Sequence, residues 1–186
     1  EQPHVSDVHP QLVSRLDLGL EPFDLESLVG RVDLVFSCLP HAASAEAVCQ
    51  LVDAGGIVID LSADYRLDDL DVYQQWYKVP HPDPGRVGSV PYGLPELYRE
   101  QIVGAPLVAN PGCYPTSAIL PLAPLLSAGL VTTADIVVDS KSGVSGAGRT
   151  PRMGTLYPEC NESISAYAVG SHRHAPEMNQ VLSLAA

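Results

Sequence analysis

The chain has 186 residues, 46% of them hydrophobic and 17% charged, a balance that suits a folded globular domain and excludes a disordered chain. Its 22 acidic and 10 basic side chains give a net charge of −12, which repels phosphate backbones at long range and argues against nucleic acid as a partner. No apolar run reaches the ~18 residues that a membrane span needs and no signal peptide opens the chain, so a cytoplasmic protein without a membrane partner is expected. The four cysteines, at 38, 49, 113 and 160, form no CxxC pair and fit reduced thiols better than a disulfide framework.

Residues 32–39 (VDLVFSCL) are a short apolar run, as expected of a strand covered on both faces. Pro40 and His41 then turn the chain, and Ser44 is placed to cap a helix running to about Asp53. Gly55 and Gly56 end that helix before a second strand at 57–62, which completes a βαβ crossover and so a parallel sheet. A helix is expected near 68–77 in an otherwise loop-rich stretch, and a third strand at 107–110. A further helix is expected from near Thr116 to Ala128 with Gly129 as its C-terminal cap, although Pro121 and Pro124 oppose it. The run DIVVDSKSG at 135–143 reads as a fourth strand. The order is α/β. No strand–GxGxxG–helix unit appears in the first 31 residues, and the chain stops just after a motif of functional character, so it reads as an internal piece of a longer enzyme.

Three segments carry candidate chemistry. Asn110-Pro111-Gly112-Cys113 puts a cysteine where a strand ends and a helix begins. Unpaired N–H groups and the helix dipole favour an anion there, which suits a thiolate and the oxyanion of a tetrahedral intermediate. A buried structural cysteine is the competing reading. His172-Arg173-His174-Ala175-Pro176-Glu177 supplies a base and an orienting carboxylate for such a thiol. A zinc site built from His172 and His174 with Glu177 or Cys160 is a rival without an established ligand spacing, and no metal is expected. The Gly/Ser-rich loop 142–149 offers N–H groups to an anion or a cofactor, and Arg149 within it is a candidate for phosphate. Arg66 and His41 fall just beyond the carboxyl ends of the first strands, where ligands bind in open α/β sheets.

Six segments, SCLPH at 37–41, LSADYRL at 61–67, YGLPE at 92–96, ANPGCYPT at 109–116, SGVSGAGR at 142–149 and HRHAPEM at 172–178, together resemble the N-acetyl-gamma-glutamyl-phosphate reductase family, relatives of aspartate-semialdehyde dehydrogenase. The resemblance implies the second half of a Rossmann-type dinucleotide-binding domain over residues 1–112. The start of an α+β catalytic and dimerisation domain would follow over 113–186. It implies NADP(H)-dependent reduction of N-acetyl-L-glutamyl 5-phosphate to the 5-semialdehyde and phosphate, in arginine biosynthesis, through a thioester on Cys113. One of His172 and His174 would be the acid/base, with Glu177 beside them. Ser37, Leu39, Pro40, His41, Ser142, Gly143 and Gly146 would line the cofactor, and Arg66, Asn110 and Arg149 would bind substrate. The partners implied are a small acyl phosphate, phosphate and further copies of the chain in a dimer or tetramer. A reductase of carrier-linked aminoadipyl or glutamyl phosphate, a cofactor-free Cys/His hydrolase and a non-catalytic fragment are the competing readings.

Overall fold

The computed structural model describes residues 2–186. In chain order its helices are α1 (Val5–Val8), α2 (Leu25–Leu28), α3 (Ser44–Asp53), α4 (Leu70–Tyr77), α5 (Pro95–Ile102), α6 (Cys113–Ser127), α7 (Tyr157–Cys160) and α8 (Ala175–Ala185). Strands β1 (Val35–Ser37), β2 (Val58–Asp60) and β3 (Leu107–Ala109) form a parallel sheet in the order β1-β2-β3. Val58 of β2 is in register with Val35 on one side and Leu107 on the other. The fold is thus α/β, and its strands are shorter than their apolar runs.

Helix α3 forms because Ala45, Val48 and Leu51 recur at three-residue spacing and give one apolar face. That face packs on Val58, Leu107 and Ala109 of the sheet and on Tyr65, and each fully buried aliphatic side chain stabilises by about 1.5–3 kcal/mol. The helix ends at Gly55, whose φ of +90° lets its N–H reach the Val52 carbonyl at 3.0 Å. Its start differs from expectation. Ser44 does not cap it; the Ser44 hydroxyl donates to Asp60 instead, at 2.7 Å. The cap comes from Asp64, whose carboxylate accepts the N–H groups of Ala42 at 2.8 Å and Ala45 at 3.0 Å, and the Tyr73 hydroxyl at 2.8 Å.

A second core joins α6 to α8 through Ile119, Ala123 and Val181, with Tyr92 and Leu94 from the segment leading into α5. Helix α6 begins at Cys113, earlier than expected, and passes through Pro121 and Pro124. An interior proline costs about 3 kcal/mol, and burial of Ile119, Ala123 and Leu126 opposes that cost. Residues 135–143 do not form the expected strand. They run over the surface with Val137 89% exposed, and no other described segment offers them a ladder of hydrogen bonds, without which an apolar alternation has nothing to pair with.

Asp64→Ala leaves the Ala45 amide of α3, the Ala42 amide of the turn before it and the buried Tyr73 hydroxyl without their acceptor. It is expected to lower unfolding stability by about 3 kcal/mol in urea titration; a loss below about 1 kcal/mol contradicts the capping role.

Candidate functional site

The carboxyl ends of β2 and β3 lie side by side, and the Asn110 amide donates to the Asp60 carbonyl at 2.9 Å. From there the chain leaves the sheet through Pro111 and Gly112 and enters α6 at Cys113, which is exposed. The amides of Cys113 and Tyr114 have no acceptor within the described residues. Pro115 has no N–H, and the Thr116 amide returns to the Gly112 carbonyl at 3.0 Å. Two free donors therefore flank the sulphur. Gly112 has φ −69° and ψ 158°, values open to any residue, so its small size has another reason. A Cβ there would lie 2.5 Å from Nε2 of His174, so only glycine lets that imidazole lie against the turn.

His174 immediately precedes α8 and His172 lies two residues before it, their ring centres 4.7 Å apart. Both rings meet Tyr114 edge to face, His172 at 5.2 Å and His174 at 6.1 Å between centroids. The two histidines are thus brought over the residues on either side of Cys113. Nδ1 of His172 accepts the His174 amide at 3.1 Å, which puts the proton of a neutral His172 on Nε2 and directs it to the Tyr167 hydroxyl at 3.3 Å. Tyr167 in turn donates to the Tyr114 hydroxyl at 3.0 Å. Burial, this hydrogen bond and the charges of Tyr114 and Cys113 push the Tyr167 phenol up to about 12. Both ring nitrogens of His172 are engaged. Nδ1 of His174 is buried without a hydrogen-bond partner among the described residues, and burial, with Arg66 nearby, lowers its imidazole to about 4.

Glu177, 1% exposed, does not orient either histidine. One of its oxygens accepts the Gly112 amide at 2.9 Å and the Tyr92 hydroxyl at 2.6 Å, while the other faces Arg66 at 3.5 Å. Arg66 is equally committed. It is 5% exposed, and it donates to the Asn110 carbonyl at 2.7 Å and the Leu61 carbonyl at 2.9 Å besides facing Glu177. These three contacts tie the guanidinium to Glu177 and to the carboxyl edge of the sheet. Asn110 contributes its carbonyl to that guanidinium, and its side-chain amide turns back to the Pro111 carbonyl at 3.1 Å.

Arg173 was not singled out by sequence reasoning, although it stands between the two histidines. It is exposed, stacks 5.7 Å over the Tyr77 ring and has no carboxylate partner among the described residues. Its charge adds to burial in lowering His41 and His172. Arg149 lies on the exposed glycine-rich loop.

The residues expected to line a dinucleotide fit it only in part. Leu39 and Pro40 are exposed beyond β1, and the half-buried His41 lies beside them, its Nδ1 accepting the Ala63 amide at 2.9 Å and its ring edge-on to Tyr77 at 5.6 Å. Ser37 does not offer its hydroxyl. It is 6% exposed and bonds the Ser44 hydroxyl at 2.7 Å beneath the helix. The N-terminus of α3 is filled by Asp64, so it is no pyrophosphate site. Ser142, Gly143 and Gly146 lie on an exposed loop anchored near α6 by the Ser140–Ser117 hydroxyl contact at 3.0 Å. No group of three or more His, Cys, Asp or Glu side chains suited to a metal occurs among the described residues.

Fold and site together define a parallel α/β domain with a cysteine at a helix N-terminus beneath two histidines. Family comparison agrees with that class. The profile described as "Semialdehyde dehydrogenase, NAD binding domain" matches residues 1–105, and that described as "Semialdehyde dehydrogenase, dimerisation domain" matches residues 113–186. The chain belongs to the semialdehyde dehydrogenase family. Among curated relatives, an N-acetyl-gamma-glutamyl-phosphate reductase of Rhodopirellula baltica is 61% identical over 94% of this chain and 50% of its own length. Its namesake in Geotalea daltonii is 51% identical over 98% of this chain and 53% of its own length, and that of Alkaliphilus metalliredigens 49% over 97% and 52%. The chain spans about half the length of these relatives.

The lowered His174 has a consequence for stability. The folded ring resists a proton that the unfolded chain accepts below pH 6.5, so acidification from pH 6.5 towards about 4 favours unfolding. The urea midpoint is expected to fall less over that interval in His174→Asn than in the parent protein; equal falls contradict a neutral buried ring.

Proposed function

We propose that the chain supplies the thiol-bearing site of an NADPH-dependent acyl-phosphate reductase. The enzyme converts N-acetyl-L-glutamyl 5-phosphate to N-acetyl-L-glutamate 5-semialdehyde and phosphate, a step of arginine biosynthesis. The observation that carries this reading is the exposed Cys113 at the α6 N-terminus, with two free amides beside it and a neutral histidine against the preceding glycine. The printed names of the relatives give the same reaction class.

In this reading His174 takes the thiol proton, and the Cys113 sulphur attacks the acyl carbon. The amides of Cys113 and Tyr114 stabilise the oxyanion. The carbon–oxygen bond to phosphate breaks as His174 passes its proton to the departing oxygen, leaving a thioester on Cys113. NADPH, when bound, supplies the hydride that a thioester accepts more readily than a carboxylate. The tetrahedral adduct then collapses, the carbon–sulphur bond breaks and the aldehyde leaves with the thiolate restored. His174 is the acid/base of choice because both ring nitrogens of His172 are engaged. His172 instead holds the hydrogen-bonded Tyr167–Tyr114 pair. Arg173, exposed and free of a carboxylate partner among the described residues, is the first candidate for the phosphate, ahead of the buried Arg66 and of Arg149.

Leu39, Pro40 and His41 would face the cofactor's ring, and the 142–149 loop would close near it. The domain boundary is placed at 112/113, supported by the separate profile matches to 1–105 and 113–186. The dimerisation-domain match supports a homo-oligomer, and exposed Val137, Ile164 and Val169 are suited to such a contact. Among the described residues no helix is long and apolar enough to cross a membrane, and a cytoplasmic location accords with a biosynthetic reductase.

The test is the reverse reaction in the full-length protein, with N-acetyl-glutamate 5-semialdehyde, phosphate and NADP. NADPH formation that depends on phosphate and is abolished in Cys113→Ser is expected. His174→Asn is expected to lower kcat by about a hundredfold or more, and His172→Asn less. Hydrolysis of the acyl phosphate without cofactor, or activity only on a carrier-linked substrate, contradicts the assignment.

A further inference from the structure

Two helix N-termini meet at this site, and one buried carboxylate stands between them. Gly112 is the residue before α6 and Glu177 the third residue of α8. The Gly112 amide donates to Glu177, so the bond ties the first turn of α8 to the turn that presents Cys113. His174 stands three residues before Glu177, at the start of the same helix. A single side chain thereby connects the element bearing the nucleophile to the element bearing the base.

We infer that Glu177 is a positioning residue, which aims Cys113 and the amides of residues 113 and 114 relative to His174, and that Tyr92 and Arg66 hold Glu177 for that purpose. The Tyr92 hydroxyl and the Gly112 amide converge on one oxygen at 2.6 and 2.9 Å. That fixes the carboxylate plane. Arg66 meets the other oxygen and also grips the carbonyls of Leu61 and Asn110, so the reference frame is the carboxyl edge of the sheet. None of the three makes a hydrogen bond to Cys113 or to either histidine among the described residues. Gly112 has no side chain to hold itself, because a Cβ would collide with His174, and its amide is therefore the handle available for setting the turn. Removal of Glu177 frees that amide and leaves Arg66 buried without its charge partner.

The inference rests on the reductase reading for its activity arm, so a second arm uses thiol chemistry alone. Full-length Glu177→Gln, Glu177→Ala and Tyr92→Phe would be compared with the parent. The readouts are kcat and KM in the phosphate-dependent reverse reaction and the rate of iodoacetamide alkylation of Cys113, read by peptide mass spectrometry without cofactor. Glutamine keeps an oxygen for the Gly112 amide; alanine keeps none. Expected are a fall in kcat of about a hundredfold in Glu177→Ala at KM values near the parent's, recovery to within about tenfold in Glu177→Gln, and a smaller loss in Tyr92→Phe. The Cys113 alkylation rate should move in the same order. Should Glu177→Ala fail to fold, the other two variants decide, because each keeps part of the network. Parent-like kcat and alkylation in folded Glu177→Gln and Tyr92→Phe, or losses that merely track the folded fraction, overturn the inference. An inactive parent with graded alkylation overturns the reductase reading and leaves the positioning role standing.

Discussion

Helix N-termini carry partial positive charge, and bringing two of them together is unfavourable unless a negative group lies between them. The structure meets that constraint with Glu177. Its carboxylate takes hydrogen bonds from the residue before α6 and from Tyr92, and Arg66 balances it from the sheet side. An ion pair of this kind contributes little net stability by itself, since desolvation offsets the attraction, but removing one partner alone is costly. The arrangement therefore serves geometry more than stability. It joins the sheet, the cysteine-bearing helix and the histidine-bearing helix at one point.

The rest of the fold is arranged to deliver residues to that point. One core packs α3 on the sheet and sets the direction of the strands, and the other packs α6 on α8. Between them lies a buried polar layer in which Asp60 accepts from Ser44 and Ser62, while Asp64 caps α3. That layer fixes the carboxyl edge of β1 and β2 from which Leu61 and Arg66 project. Burial on the α6/α8 side leaves Cys113 exposed and His174 neutral. The site thus combines an open thiol with a neutral imidazole set against the turn that presents it.

Much of this was legible in the sequence, and the rest was hidden for specific reasons. Ala45, Val48 and Leu51 show their helix in their spacing, and the residues of α3 fall where the pattern puts them. The Gly-Cys step after an apolar run marks a strand-to-helix turn whatever its surroundings. Arg66 was harder. A basic residue past a strand looks like a ligand site until Glu177, distant in sequence, is found against it. Glu177 was equally misplaced, because three-residue proximity to His174 along the chain says nothing about Gly112 across the fold. The strand expected at 135–143 failed because alternation shows what a segment is suited to, while pairing depends on a neighbour. Arg173 was overlooked between two residues of more familiar chemistry. Its exposure and its stack on Tyr77 mark it only in three dimensions.

The central claim is that Cys113 forms the covalent bond to the acyl group, and its most direct test is to stop the reaction at that bond. Full-length protein would be mixed with N-acetyl-glutamyl phosphate in the absence of nicotinamide cofactor, quenched in acid within seconds and analysed for released phosphate and by peptide mass. The account predicts a phosphate burst approaching one per active site, with an N-acetyl-glutamyl adduct on the Cys113 peptide and neither in Cys113→Ser. Phosphate release without an adduct, or an adduct on another cysteine, would contradict it.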